Sequence, residues 1–145
     1  MSKWAQGFYD IQNIEKYVGT NKPRYRSGWE LSFMRFCDTN DNILQWASEA
    51  IQIPYRHPLT GKQTIYVPDF LITYRTRNNT TKAELIEIKP KKQCSPPKTP
   101  KRKTKNYLNE VKTWGVNQAK WKAAKEWCDD RKFEFKLITE NELGL

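Results

Sequence analysis

The amino-acid sequence predicts one α/β domain, in which helices pack against a mixed sheet of about four strands. Segments with strand-like alternation lie between segments with helical periodicity, in the order helix, strand, strand, strand, helix, strand. A chain of 145 residues has room for one compact domain. Only 37% of the residues are hydrophobic, which disfavours a second core. Residues 1–145 are therefore expected to form a single domain.

The first 26 residues are rich in aromatic and basic side chains, and their apolar residues show only weak helical or strand periodicity. We call this segment the N-terminal arm. The six tryptophans of the chain are expected mainly in the core, because large rings bury much apolar surface. Trp4 and Tyr9 of the arm are alternatively candidates for anchoring a protein partner, since aromatic residues are enriched at interfaces.

The first helix is predicted to begin at Ser27. Ser27 and Glu30 have the spacing of a capping box, in which two side chains satisfy backbone N–H groups at a helix start. Apolar side chains then recur at helical intervals, namely Trp29, Phe33 and Phe36.

Three strand-like segments follow the first helix. The sequence Pro-Leu-Thr-Gly at residues 58–61 predicts a turn between two of these segments, and so a hairpin. A polar turn over residues 75–81 separates the last two. The predicted strands cover residues 43–55, with an interruption near Ser48, residues 65–74 and residues 83–89.

An interrupted helical region and a last strand complete the predicted fold. Gly115 is expected to end a short helix, and Asn117 offers the N-cap of a new one over residues 118–130. Alternation over residues 133–138 predicts the last strand. The apolar positions of the helical pieces are Tyr107, Val111 and Trp114 before the glycine, and Trp121, Ala124 and Cys128 after it.

Composition excludes or disfavours several classes of protein. No run of about 18 apolar residues occurs, so no ordinary membrane helix and no membrane partner are expected. The N-terminus lacks the apolar stretch of a secretory signal, so the chain is expected to stay where it is made. Cys37, Cys94, Cys128 and the single histidine, His57, lack the spacing of a structural zinc site.

The charge of the chain predicts a polyanionic partner. The sequence carries 26 basic and 16 acidic residues, a formal net charge of +10. Seven basic residues and four prolines lie within residues 90–105, where there is no acidic residue. Proline disfavours regular helix or central strand here, so we interpret residues 90–105 as a basic loop. The loop either binds nucleic acid or is a solvated linker.

Three charged residues predict a chemical centre. Glu87 and Lys89 lie two apart in a predicted strand and therefore point to the same face. Asp69 lies beside an apolar run in the preceding strand, where strand propensity disfavours aspartate. If the two strands pair, Asp69 and Glu87 meet across the ladder. Two adjacent carboxylates repel, and a hard cation such as Mg²⁺, with Mn²⁺ as the alternative, resolves that conflict.

These residues resemble the motif of the PD-(D/E)XK nuclease superfamily, whose core has the predicted order of elements. The resemblance implies a restriction-endonuclease-like fold in which Asp69 and Glu87 hold the metal and Ile88 supplies a carbonyl ligand. It further implies that Lys89 is catalytic, that Glu30 supports the site from the first helix, and that Gln118 faces it.

A narrower resemblance covers most of the chain. Residues 25–30, 36–38, 53–55 and 117–121 look like the head completion nucleases of tailed phages, and the same core is similar to the N-terminal endonuclease domain of TnsA. The resemblance implies a metal-dependent DNA endonuclease that acts on double-stranded DNA ends during head completion. Portal or neck proteins would be partners, in the host cytoplasm or in the virion.

Other interpretations of the same residues stay open. Glu30 could serve only as the partner of Ser27 in the capping box, and Gln118 could be an exposed residue at a helix start. Glu87 could form a surface ion pair, and Lys89 could simply begin the basic run. Asp69 has the weakest structural explanation of the set.

Two other functions also stay open. The chain could be a transposition endonuclease like TnsA, or a virion protein that binds DNA ends or the portal without cutting. The residues predicted to contact DNA are Lys91, Lys92, Lys101, Arg102, Lys103, Lys105, Gln118 and Lys122.

Overall fold

The computed structural model describes residues 5–144, within which two long helices accompany eight strands. The helices are α1 (Gly28–Thr39) and α2 (Lys105–Arg131), and short 3-10 helices cover Ile14–Lys16 and Lys91–Cys94. The strands are β1 (Gly7–Phe8), β2 (Arg24–Tyr25), β3 (Ile43–Ser48), β4 (Ile53–Arg56), β5 (Gln63–Tyr66), β6 (Phe70–Arg75), β7 (Thr81–Ile88) and β8 (Glu134–Ile138).

A mixed four-stranded sheet forms the centre of the fold. Its strands lie in the order β3, β6, β7, β8. Strand β6 is antiparallel to both β3 and β7, whereas β8 is parallel to β7. Parallel neighbours need a long crossover connection, and α2 supplies it. The predicted α/β class, with a mixed sheet of about four strands flanked by helices, is confirmed.

Each face of the sheet packs against one helix. On the first face, Phe33 and Met34 of α1 pack with Trp46, Phe70 and Ile86 of the strands. On the second face, α2 packs against Leu85 and the small hairpin of β4 and β5 through the apolar side chains Trp121, Ala124 and Cys128. The sheet is therefore buried on both sides, and polar groups on its inner strands must find partners within the protein.

The N-terminal arm is tied to the end of α1 through Asp38, which is fully buried. The carboxylate accepts hydrogen bonds from the Tyr9 hydroxyl at 2.5 Å and from the backbone N–H groups of Gln12 and Asn13 at 2.8 and 2.9 Å. Tyr9 is itself buried in the core, so the structure contradicts its role as an anchor for a partner. Trp4 lies outside the described residues.

The segment predicted as one strand over residues 65–74 is divided in two. Residues up to Tyr66 pair with β4 in the predicted hairpin, and residues from Phe70 pair with β3 and β7 in the main sheet. Pro68 lies in the break and is fully buried. Because proline has no N–H to donate, a ladder cannot continue through this position as in a central strand.

The predicted interruption of the helix at Gly115 is wrong. Helix α2 continues without a break through Gly115, and its N-cap is Thr104, whose hydroxyl accepts from the Tyr107 N–H at 3.1 Å. A single glycine within a helix costs only about 1 kcal/mol relative to alanine, and packing of the following turns offsets such a cost. Asn117 is therefore not an N-cap but a buried residue of the helix interior.

The predicted start of α1 is confirmed. Ser27 is the N-cap, and its hydroxyl oxygen accepts from the backbone N–H of Glu30 at 3.1 Å. Phe33, Met34 and Cys37 form the buried side of this helix, whereas Phe36 is exposed. None of the helices within residues 5–144 is long and apolar enough to cross a membrane.

Candidate active site

Asp69 lies in the break between β5 and β6, at the point where β6 enters the sheet. Its Oδ2 accepts a hydrogen bond from the backbone N–H of Ile88 at 2.7 Å. Its backbone carbonyl accepts from the N–H of Glu49 at 2.9 Å. The first bond ties the Asp69 side chain to the end of β7. The second ties its backbone to the residue that follows β3.

Glu87 and Lys89 lie at the end of β7 on the side of the sheet that faces α2. Glu87 is only 6% exposed, yet both of its carboxylate oxygens have a polar partner. Its Oε1 accepts a hydrogen bond from the Tyr66 hydroxyl at 2.8 Å, and its Oε2 lies 3.3 Å from Nζ of Lys89. The ion pair is largely shielded from water, so the carboxylate and the ammonium are held in one pocket.

The surroundings of Asp69 disfavour its charged form. Burial raises the pKa of Asp69 well above its ordinary value, and the nearby charges of Glu87 and Glu30 raise it further. The hydrogen bond from the Ile88 N–H and the charge of Lys89 act in the opposite direction but do not cancel the effect. The site therefore concentrates more negative charge than its own lysine neutralises.

Glu30 lies near both Ser27 and Asp69. The Ser27 hydroxyl donates a hydrogen bond to one of the Glu30 carboxylate oxygens at 3.3 Å and accepts one from the Glu30 backbone N–H at 3.1 Å. The same carboxyl contributes to the raised pKa of Asp69, and its own pKa is raised, chiefly by burial. Glu30 is thus close enough to act on Asp69 while it stays hydrogen-bonded to Ser27, the N-cap of α1.

The donor set suits a hard cation. Asp69 and Glu87 offer carboxylate oxygens at the junction of two strands, and their mutual repulsion is the conflict that a divalent cation relieves. Within residues 5–144, no group of three or more His, Cys, Asp and Glu side chains is close enough together to hold an ion. A metal would therefore rest on these two carboxylates, with the remaining positions left to water, backbone oxygen or substrate phosphate.

Sequence reasoning missed the residues that brace this site. Arg26 and Glu49 form a two-point ion pair, with nitrogen-to-oxygen distances of 3.0 and 3.3 Å. Glu49 has a φ of 48°, an uncommon left-handed conformation for a side chain with a Cβ. Tyr66 holds Glu87, and Nζ of Lys120 lies 5.6 Å from the centre of the Tyr66 ring. These roles depend on contacts between residues that lie far apart along the chain, so no local sequence pattern predicts them.

The residues predicted to contact DNA are exposed. The Lys91 backbone N–H is fixed by the Glu140 carboxylate at 2.7 Å, so the loop starts from an anchored point. Gln118 and Lys122 lie exposed on α2. The exposed basic side chains of the loop are Lys91, Lys92, Lys98, Lys101, Arg102, Lys103 and Lys105.

Two comparisons with known proteins identify the family of the chain. The profile of the family described as "TnsA-like endonuclease N terminal" matches residues 40–140. The chain is also 39% identical over 137 residues to the head completion nuclease of Enterobacteria phage T4, a match that covers 91% of this chain and 89% of that protein. Residues 40–140 include Asp69, Glu87 and Lys89, whereas Glu30 lies before them.

Proposed function

This chain belongs to the TnsA-like endonuclease family, and we propose that its Asp69, Glu87 and Lys89 carry out metal-dependent hydrolysis of DNA phosphodiester bonds. The observation that supports this most directly is a buried ion pair beside a second carboxylate: Glu87 is only 6% exposed, its Oε2 lies 3.3 Å from Nζ of Lys89, and its charge acts on Asp69. Burying these charged groups side by side lowers the stability of the fold and adds no apolar packing. Such an arrangement is typical of functional sites.

The protein's own residues would divide the work. Asp69 is held by the Ile88 N–H, and Glu87 is held by the Tyr66 hydroxyl, so both carboxylates are oriented before any ligand binds. Lys89 would offset the charge that develops on the phosphate in the transition state through its Nζ ammonium. Glu30 would position water at the edge of the site.

Asp69 and Glu87 are the residues that we propose hold a divalent cation. When bound there, Mg²⁺ would supply Lewis-acid polarisation of the phosphate and a lowered pKa for bound water. The Ile88 carbonyl is a further candidate ligand. Mn²⁺ prefers the same oxygen donors and is the expected substitute.

The setting we propose is the processing or securing of packaged DNA ends during phage head completion. The match to a protein named head completion nuclease supports this, because it spans nearly the whole length of both chains. The same match favours head completion over transposition as the role of this chain. Portal or neck proteins are the proposed partners, and the host cytoplasm and then the virion are the proposed locations.

Metal binding separates a nuclease from a virion protein that only binds DNA. We expect Mg²⁺ to raise the melting temperature of the wild type, because a ligand present at 100 times its Kd stabilises the native state by about 2.7 kcal/mol. Glu87→Gln should lose most of this response, and Glu126→Gln, a control exposed on α2, should keep it. An equal response in all three proteins would contradict the proposed site.

A further inference from the structure

A cleft of about 920 Å³ lies between the basic loop and the N-terminal half of α2. Its volume falls within the range of roughly 300–1,000 Å³ that is typical of sites for small molecules and cofactors. Loop residues 91–98 form one wall, and helix residues 106–117 form the other. The roles proposed for Asp69, Glu87 and Lys89 do not involve either wall.

The cleft is positively charged. Lys91, Lys92 and Lys98 line the loop wall, and Glu110 of the helix is the acidic residue among those that line the cleft. Three ammonium groups against one carboxylate favour a ligand that carries phosphate.

Trp114 gives the cleft an aromatic surface. Its indole lines the cleft and packs against Trp121 of the core, with ring centroids 6.2 Å apart and an angle of 86° between the ring planes. Trp121 is 5% exposed and therefore braces Trp114 from behind. A braced indole beside phosphate-binding lysines is a platform on which a nucleobase can stack.

Asn117 supplies an amide without a protein partner. It lines the same cleft and is only 5% exposed, and none of the side-chain hydrogen bonds within residues 5–144 involves it. Its amide is not among the wholly buried polar atoms of the described residues that lack a partner, which are the indole nitrogens of Trp46 and Trp121, so it stays open to the cleft and free to bind a ligand there. Because an amide offers both donors and an acceptor, it can bind the hydrogen-bonding edge of a base.

The cleft is close to the candidate active site. Lys89 precedes Lys91 by two residues, so their Cα atoms are at most about 7.6 Å apart. One helical turn after Asn117, Lys120 packs over Tyr66, the residue that holds Glu87. A DNA strand whose phosphate lies at Lys89 is therefore within reach of the cleft.

We propose that this cleft binds an unpaired nucleotide of the DNA substrate. Trp114 stacks on the base, Asn117 hydrogen-bonds its edge, and the loop lysines hold the neighbouring phosphates. The inference rests on the proposed DNA cleavage and specifies its substrate as DNA with a single-stranded extension, in preference to a blunt duplex.

The test measures binding of labelled DNA by fluorescence anisotropy in EDTA, so that no cleavage is required. The probes are one duplex that carries a short single-stranded extension with normal bases, and the same duplex with an abasic extension. Both carry the same phosphates, so a difference reports the bases. We expect the wild type to bind the normal extension about tenfold more tightly, since stacking of one base is worth roughly 1–3 kcal/mol.

Variants of the cleft make the test specific. Asn117→Ala and Trp114→Leu should bind both probes equally, whereas Trp114→Phe should keep much of the preference because it retains an aromatic ring. Asn78→Ala, an asparagine exposed in the turn between β6 and β7, is the matched control and should behave as the wild type. Since Asn117 has no hydrogen bond within the protein and alanine favours helix, Asn117→Ala should keep or raise the melting temperature.

Two results would overturn the proposal. The first is equal affinity of the wild type for the two probes. The second is loss of the preference only in variants whose melting temperature also falls, which would make these residues structural. Failure to cut DNA with Mg²⁺ would contradict the proposed function instead, and would leave the measured preference intact.

Discussion

The Asp69 carboxylate accepts a hydrogen bond of 2.7 Å from the backbone N–H of Ile88 and thereby connects the break before β6 to the end of β7. This bond holds the carboxylate beside Glu87, although the repulsion between the two charges disfavours that position. The fold therefore imposes the arrangement, and its cost makes stability measurements informative about the site.

Removing the charge of Asp69 should stabilise the protein without metal. Because the pKa of Asp69 is raised in the native state, its stabilising contribution is full below the ordinary value of about 3.9 and is lost as the pH rises through the raised value. Asp69→Asn keeps an oxygen to accept from the Ile88 N–H. Thermal unfolding in EDTA should give a higher melting temperature for the variant, with a difference that grows from pH 4 to pH 8. A difference that shrinks as the pH rises would contradict the assignment.

The buried Asp38 cluster should show the opposite dependence on pH. Although burial acts to raise the pKa of Asp38, hydrogen bonds from Tyr9, Gln12 and Asn13 lower it overall. This stability is present above about pH 3.9 and is lost as the pH falls through the lowered value.

Tyr9→Phe tests this cluster directly. Loss of a hydrogen bond to a charged group should cost about 1.5–3 kcal/mol in the free energy of unfolding at pH 7, measured with urea. Tyr55→Phe is the control, because Tyr55 is buried but its hydroxyl has no hydrogen-bond partner within residues 5–144. If both variants are destabilised equally, the Asp38 cluster does not anchor the arm.

The basic loop should contribute affinity rather than chemistry. Its exposed side chains can reach phosphates but have no fixed geometry with which to read base edges. Alanine at Lys101, Arg102, Lys103 and Lys105 should weaken binding to duplex DNA and make it less dependent on salt. The log–log slope should fall by about 0.9 units for each phosphate that the variant no longer neutralises.

The cleavage rate separates this role from catalysis. With saturating DNA and a single turnover, the variant with four alanines should cut at the wild-type rate. An unchanged salt slope would mean that these residues do not contact DNA, and a collapse of the saturated rate would place one of them in the active site.

The sequence predicted the fold where its signals were local. The capping spacing of Ser27 and Glu30, the turn at residues 58–61 and the alternation over residues 133–138 each depend on neighbouring residues, and each element formed as expected. The predicted end of a helix at Gly115 was wrong. The free-energy cost of one glycine in a helix is small compared with the stabilisation that packing gives a long helix.

The site was only partly visible from sequence. Asp69, Glu87 and Lys89 could be selected because charged residues are unexpected beside apolar strand positions. Arg26, Glu49 and Tyr66 could not, because their roles come from side-chain contacts across 21 or more positions of the chain. Asn117 was interpreted as a helix start, and only its burial beside the cleft revealed a polar group that lacks a partner.

The most direct test of the proposed active site is the single-turnover cleavage of linear DNA by Asp69→Asn at matched Mg²⁺, beside the wild type and Asp41→Asn, an exposed control in the turn before β3. Loss of a metal carboxylate should remove several kcal/mol of transition-state stabilisation, a fall of about 100-fold or more in rate. We expect Asp41→Asn to cut at the wild-type rate and Asp69→Asn to be nearly inactive while folded. Cleavage by Asp69→Asn at the wild-type rate would contradict the assignment of Asp69 to the active site.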